Sequence, residues 1–110
     1  MKNNNPILKG IGASIGIAEG VVKIIKSAKD FKNFNKGDVL VTEITDPTMV
    51  ILMAKANAII CNIGGITSHP AIVSREMGIP CVVNTKNATK ILENGMIIIV
   101  DGSKGEIYLK

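Results

Sequence analysis

His69 is the only histidine in the chain, and it stands where turn-forming and hydroxyl residues are most concentrated. Gly64 and Gly65 precede it, then Thr67 and Ser68, and Arg75 follows six residues on. Together these residue types suit an anion, and a phosphate in particular. Glycines let the main chain approach without a Cβ in the way, hydroxyls donate hydrogen bonds, and a guanidinium matches phosphate geometry. An imidazole adds a nucleophile, because a neutral ring nitrogen can attack phosphorus and hold the phosphoryl group.

The residues around His69 place it at a helix start. Ala58-Ile59-Ile60-Cys61 reads as a strand, and Asn62 with Gly64-Gly65 as the turn after it. Ser68 or Thr67 is the N-cap and Pro70 suits the first helical turn. Ile72, Val73 and Met77 fall on one face, and Gly78 with Pro80 closes the helix. A helix start presents unpaired N–H groups and a partial positive charge. That environment favours the uncharged imidazole before transfer and stabilises the added negative charge after it.

Capping is the plainer use for Ser68, and Thr67 is read as a hydrogen-bond donor to the phosphoryl group. Arg75 has two uses, as a phosphate ligand or as a structural ion-pair partner, and the sequence leaves both open.

The supporting elements follow from the same signals. Gly10, Gly12, Gly16 and Gly20 lack the third glycine of a dinucleotide fingerprint at its offset and the lysine-serine pair of a P-loop. They read as a looping connection into the strand Gly20–Ile25, and residues 1–9 as a flexible start. Phe31 and Phe34 pin a turn to the core, and Gly37-Asp38 turns the chain into a strand over Val39–Thr42. Asp46-Pro47 is a strong helix start, Asp as N-cap and Pro at the first position. Met49, Val50, Leu52 and Met53 follow it, packed on the sheet, to an end near Ala56-Asn57.

After the His69 helix come a short strand at Cys81–Val83 and a small helix capped by Asn87-Ala88. An Asn94-Gly95 turn leads into Met96–Val100, and Glu106–Leu109 forms the last hairpin. Strands mixed with short helices at this length give a compact α/β domain.

Composition narrows the function classes. A chain of 110 residues is one small domain over residues 1–110, with 46% hydrophobic residues and only three aromatics, so its core is aliphatic. The net charge of +4 is mild and the lysines are scattered among acids, with no tryptophan and no aromatic RNA signature. Nucleic acid is therefore not expected as a partner. No apolar run reaches the ~18 residues that a membrane helix needs. One histidine and two cysteines, Cys61 and Cys81, show no metal-ligand spacing, and no metal is expected on the domain. With no signal peptide, the cysteines read as reduced thiols and the location as cytoplasmic.

The run from Gly64 to Pro80 resembles the phosphohistidine motif of the mobile domain in phosphoenolpyruvate-utilising enzymes. These are phosphoenolpyruvate synthase, pyruvate phosphate dikinase and enzyme I of the sugar phosphotransferase system. The likeness extends to Val39–Thr42 with Thr45-Asp46-Pro47 and to Asp101-Gly102, Gly105 and Ile107, covering roughly residues 10 to 110. It is nearest to the phosphoenolpyruvate synthase and pyruvate phosphate dikinase branch, through Thr45-Asp46-Pro47 and Arg75-Glu76-Met77-Gly78-Ile79-Pro80. Pro70 stands where many members carry a small residue such as alanine, and it fits the helix start.

The resemblance implies a swivelling β/β/α fold and a phosphocarrier, a phosphotransferase component inactive without its partner domains. His69 would be phosphorylated by phosphoenolpyruvate on one side and by a nucleotide or carrier on the other. Thr67 matches a position that a regulatory protein phosphorylates in some pyruvate phosphate dikinases. The implied partners are an ATP-grasp-like nucleotide-binding domain and a phosphoenolpyruvate-binding barrel, in trans or in a longer parent chain, with Mg²⁺ held by those partners. The alternative is a binding or regulatory module that keeps the fold and is never phosphorylated.

Overall fold

The structure is a computed structural model and describes residues 5–110. In chain order the strands are β1 (Leu8–Lys9), β2 (Ile11–Ser14), β3 (Ile17–Ile24), β4 (Val39–Thr42), β5 (Ala58–Cys61), β6 (Cys81–Val83), β7 (Ile97–Asp101) and β8 (Glu106–Leu109). The helices are α1 (Val50–Lys55), entered through a 3₁₀ turn at Pro47–Met49, α2 (His69–Met77) and α3 (Ala88–Ile91). The β-branched runs became strands, and the capped, glycine-terminated stretches became helices.

The eight strands form one mixed sheet in the order β1-β8-β7-β3-β4-β5-β6-β2. Strands β3 to β6 run parallel as neighbours, and the remaining pairings are antiparallel. The outermost strands, β1 and β2, are separated in sequence only by Gly10, whose N–H donates to the Gly105 carbonyl at 2.8 Å. The sheet therefore curls until its two ends meet. Main chain lies on main chain there: a Cβ on Gly12 would stand 2.4 Å from the Gly102 oxygen, and one on Gly102 2.0 Å from the Ser14 oxygen. Only glycine fits at either position.

The parallel strands are buried on both faces, which is why they read as unbroken apolar runs. Leu40, Ile59, Cys61, Cys81 and Val83 share one cluster with Leu52 and Met53 of α1 and Ala71 of α2. Val39, Val41, Ile60 and Val82 share the other with Ile98, Val100 and Ile107 of the hairpin and with Ala88 and Leu92. The result is a mixed α/β domain with α1 and α2 on one side of the parallel strands and a second β layer, with α3, on the other. Full burial of one such aliphatic side chain contributes roughly 2 kcal/mol, so the two clusters hold the domain together mainly through aliphatic side chains, with Phe34 their one buried aromatic.

Two expectations need correction. Leu8–Lys9 is not part of a flexible start: Leu8 is buried and registers with Ile107, and the Ile7 N–H donates to the Ile107 carbonyl at 2.8 Å. An aliphatic side chain with a sheet edge to bury it against does not stay loose; residues 1–4 of that start lie outside the described residues. The glycine-spaced connection is also not a loop, since Ile11–Ser14 is β2, paired with β6, and β3 already begins at Ile17. Its glycines serve close backbone approach, a use that resembles turn chemistry in sequence.

The other expected elements are present. A 3₁₀ helix at Ala28–Asn33 and the buried Phe34 form the pinned turn. Because β4, β5 and β6 are parallel, their carboxyl ends and the loops after them lie along one edge of the sheet. That edge carries Thr45 and His69, the place where α/β sheets build their sites.

Candidate functional site

Ser68 is the N-cap of α2, with extended backbone, and its carbonyl accepts the Ile72 N–H at 3.0 Å. Its hydroxyl does not cap the helix: it donates to the Gly65 carbonyl at 2.7 Å and closes the loop on itself. His69 is the first helical residue and Pro70 the second. Pro70 has no N–H, and those of His69 and Ala71 have no hydrogen-bond partner among the described residues. The helix ends where Gly78 takes the left-handed conformation, φ 71°.

The half-buried imidazole is fixed from the side by Thr45. Thr45 Oγ1 lies 2.8 Å from His69 Nδ1, and Thr45 itself is buried at 2% exposure. This partner stands 24 residues away, and no spacing rule in the sequence points to it. The likeness at Thr45-Asp46-Pro47 touched the segment without giving Thr45 a role. With Nδ1 engaged, Nε2 is the ring nitrogen left for chemistry.

Asp46 follows Thr45 and caps the next turn, accepting the Thr48 N–H at 2.8 Å and the Thr48 hydroxyl. The Thr48 hydroxyl, then the Thr48 N–H, holds the Asp46 carboxyl below the usual carboxylate range, with a smaller contribution from the neighbouring imidazole. Asn62, buried at the end of β5, ties the same edge together. Its Nδ2 donates to Thr89 Oγ1 at 2.8 Å and to a Glu43 carboxylate oxygen at 3.2 Å.

The loop residues named from sequence divide in two. Gly64 shapes the loop: its φ is 129°, and a Cβ there would stand 2.8 Å from Ser68 Oγ. Gly65 has open space around its Cβ position, and Thr67 is exposed. The Arg75 guanidinium reaches two main-chain carbonyls, Nη1 to Ala13 at 2.9 Å and Nη2 to Ile66 at 2.6 Å. Among the described residues it makes no ion pair, and the side chain joins the loop to β2.

Beneath the site lie the two cysteines. Burial pushes both thiols up, Cys81 to about 11 against the opposing pull of the Ser74 hydroxyl and of Arg75. Both are free and sit among apolar side chains. Among the described residues no three His, Cys, Asp or Glu side chains come together to hold a metal ion, and no helix is long and apolar enough to cross a membrane.

A histidine at a helix start, on the carboxyl edge of a parallel sheet, can be set against known proteins. Residues 34–105 match the family described as PEP-utilising enzyme, mobile domain. The chain belongs to this family. It is 55% identical over 102 residues to a probable phosphoenolpyruvate synthase of Archaeoglobus fulgidus, a match that covers 93% of this chain and 14% of that protein. The chain thus spans about one-seventh of the length of that relative. An enzyme I structure solved by NMR aligns with 68% of this chain and 31% of its own, at 28% identity and a TM-score of 0.59. The holo-form of Thermococcus kodakaraensis aconitase X aligns with 96% of this chain and 99% of its own at a TM-score of 0.70. Its identity is 22%, and that likeness concerns the fold alone.

In a mobile domain of PEP-utilising enzymes, the sequence-named residues Gly64, Gly65, Thr67, Ser68 and His69 thus sit on one loop and helix start. Arg75 braces that loop, and Thr45 joins from the loop after β4.

Proposed function

We propose that this mobile domain is a phosphocarrier, in which His69 Nε2 accepts a phosphoryl group and passes it between the active sites of partner domains. The observation that carries the reading is Thr45 Oγ1 at 2.8 Å from Nδ1. In the tautomer with its hydrogen on Nδ1, donated to Thr45, the lone pair lies on Nε2. That lone pair forms the N–P bond while the bond from phosphorus to the donor oxygen breaks, its electron pair leaving with the oxygen. When the donor is phosphoenolpyruvate, the enolate released takes up a proton and becomes pyruvate. Transfer to or from a nucleotide follows the same in-line displacement.

The unpaired N–H groups at the start of α2 and the helix dipole support the charge on the bound phosphoryl group. Gly65 and Thr67 are the loop members open to meet it, while Gly64 and Ser68 give the loop its shape. Thr67, exposed two residues before His69, is also accessible to a regulatory kinase. The partners are an ATP-grasp-like nucleotide-binding domain and a phosphoenolpyruvate-binding barrel, and they bring the Mg²⁺. The setting is the cytoplasm.

The experiment incubates the chain with phosphoenolpyruvate, Mg²⁺ and a separately made barrel, with His69→Ala alongside, and reads intact mass at alkaline pH. One phosphate on the wild type, lost in acid, and none on a folded His69→Ala protein is the expected result. No phosphate with a competent barrel points instead to a binding module that keeps the fold.

A further inference from the structure

Arg75 lies on α2 six residues beyond His69, yet its side chain returns toward the loop that precedes the helix. Nη2 donates to the Ile66 carbonyl at 2.6 Å and Nη1 to the Ala13 carbonyl at 2.9 Å. The first acceptor is the middle of the loop. The second is on β2, which is laddered to β6, and Ala13 is 5% exposed.

The rest of the loop is held at its ends. The Ile63 N–H donates to the Glu43 carbonyl at 3.0 Å, and Ser68 is tied to Gly65 through both its N–H and its hydroxyl. Among the described residues, the bond from Arg75 is the only hydrogen bond linking Ile66 or Thr67 to the rest of the chain. The Ile66 side chain is 60% exposed, so burial does not anchor it either. A guanidinium presents its donors as a rigid planar fork and can hold two carbonyls at a fixed separation, whereas an ammonium is a single point of charge on a flexible stem.

We propose that Arg75 is a positioning residue for His69: by clamping the Ile66 carbonyl to β2 it sets the loop, and through the loop the imidazole's approach to Thr45. This rests on the reading of His69 as a phosphoryl acceptor, but it assigns Arg75 to the protein's main chain and not to the phosphate. Two restraints then fix the ring, Thr45 at Nδ1 and the clamped loop at its backbone. Their purpose is one ring orientation and one tautomer at the moment of attack.

The test uses the full chain and phosphoramidate, a small phosphoryl donor that needs no partner domain. Two readouts are taken on wild type and Arg75→Met: the rate of phosphate uptake by intact mass, and the ¹⁵N spectrum of the His69 ring. In the wild type the ring shows one tautomer, with its hydrogen on Nδ1. In Arg75→Met the two tautomers average and uptake falls about tenfold, and added guanidinium ion restores both while ammonium does not.

A wild-type ring spectrum in a folded Arg75→Met protein overturns the proposal. Slower uptake with that unchanged spectrum overturns it too, because Arg75 would then act on the phosphate directly. Should Arg75→Met lose its cooperative melt, Arg75→Lys is read instead, with averaged tautomers expected and a wild-type spectrum contradicting the clamp. A wild type that takes no phosphate sinks the carrier reading, while its ring spectrum against the variants still decides the role of Arg75.

Discussion

Replacing Thr45 by valine keeps shape and burial but removes the oxygen that faces Nδ1. The ring then loses the partner that selects its tautomer, and we expect phosphate uptake from phosphoramidate to fall by about tenfold or more, with Thr45→Ser close to wild type. Intact mass against time measures it, and equal rates for valine and serine would remove Thr45 from the account. Asp46 offers a pH test at the same scale. Its carboxyl is held low by Thr48, so its contribution is present above the unfolded-state value of about 3.9 and is lost as pH falls through the lower folded value. Asp46→Asn, which lacks that titration, should lose less stability than wild type on acidification from about pH 5 to about pH 2, seen as converging melting temperatures. At this scale the sequence was legible where chemistry is local. His69, its glycines and its hydroxyls were found because they are contiguous. Thr45 was not, since a contact across 24 residues is set by strand order, and the carbonyls held by Arg75 carry no residue-type signal at all.

Among the elements, the bounds of α2 were readable, because Pro70 and Gly78 each satisfy a backbone requirement that is visible in sequence. Ser68 holds the N-cap position, but its hydroxyl goes to the Gly65 carbonyl instead of the helix, and Ile72, expected on the packed face, is exposed. The helix entry at Asp46-Pro47 was equally plain. β2 was hidden for the opposite reason: its glycines answer to another strand's main chain rather than to their own neighbours. Gly12→Ala and Gly102→Ala should each destabilise the domain by about 2 kcal/mol, a drop of roughly 10 °C in melting temperature, because the added Cβ meets a carbonyl oxygen at 2.4 or 2.0 Å. Gly65→Ala, with nothing near its Cβ position, should melt like wild type and yet slow phosphate uptake. Unchanged uptake would mean the phosphate does not approach Gly65. The layers also hide the thiols. Cys81 titrates near 11 and Cys61 is pushed up further by burial, so both should resist alkylation in the folded domain at pH 8 and react on unfolding. Rapid labelling of the native protein would contradict the burial described.

Across the whole molecule, one small, largely aliphatic domain presents His69 at the edge where its parallel strands end, and among the described residues no metal-ligating cluster accompanies it. On the proposed carrier reading little more is needed, because the groups that activate phosphoenolpyruvate or a nucleotide would belong to the partner sites. The class of fold followed from strands alternating with short capped helices. The closure of the sheet through Gly10 did not, because pairing between the first and last strands is a property of the finished topology.

The central claim is that Nε2 of His69 holds the phosphate, and heteronuclear ³¹P–¹⁵N NMR of the phosphorylated chain at alkaline pH tests it most directly. A single phosphoramidate on Nε2, with Nδ1 still facing Thr45, is expected; it disappears in acid and never forms in His69→Ala. Phosphate on Nδ1, on a hydroxyl of Thr67 or Ser68, or on no residue after exposure to a competent donor would contradict it.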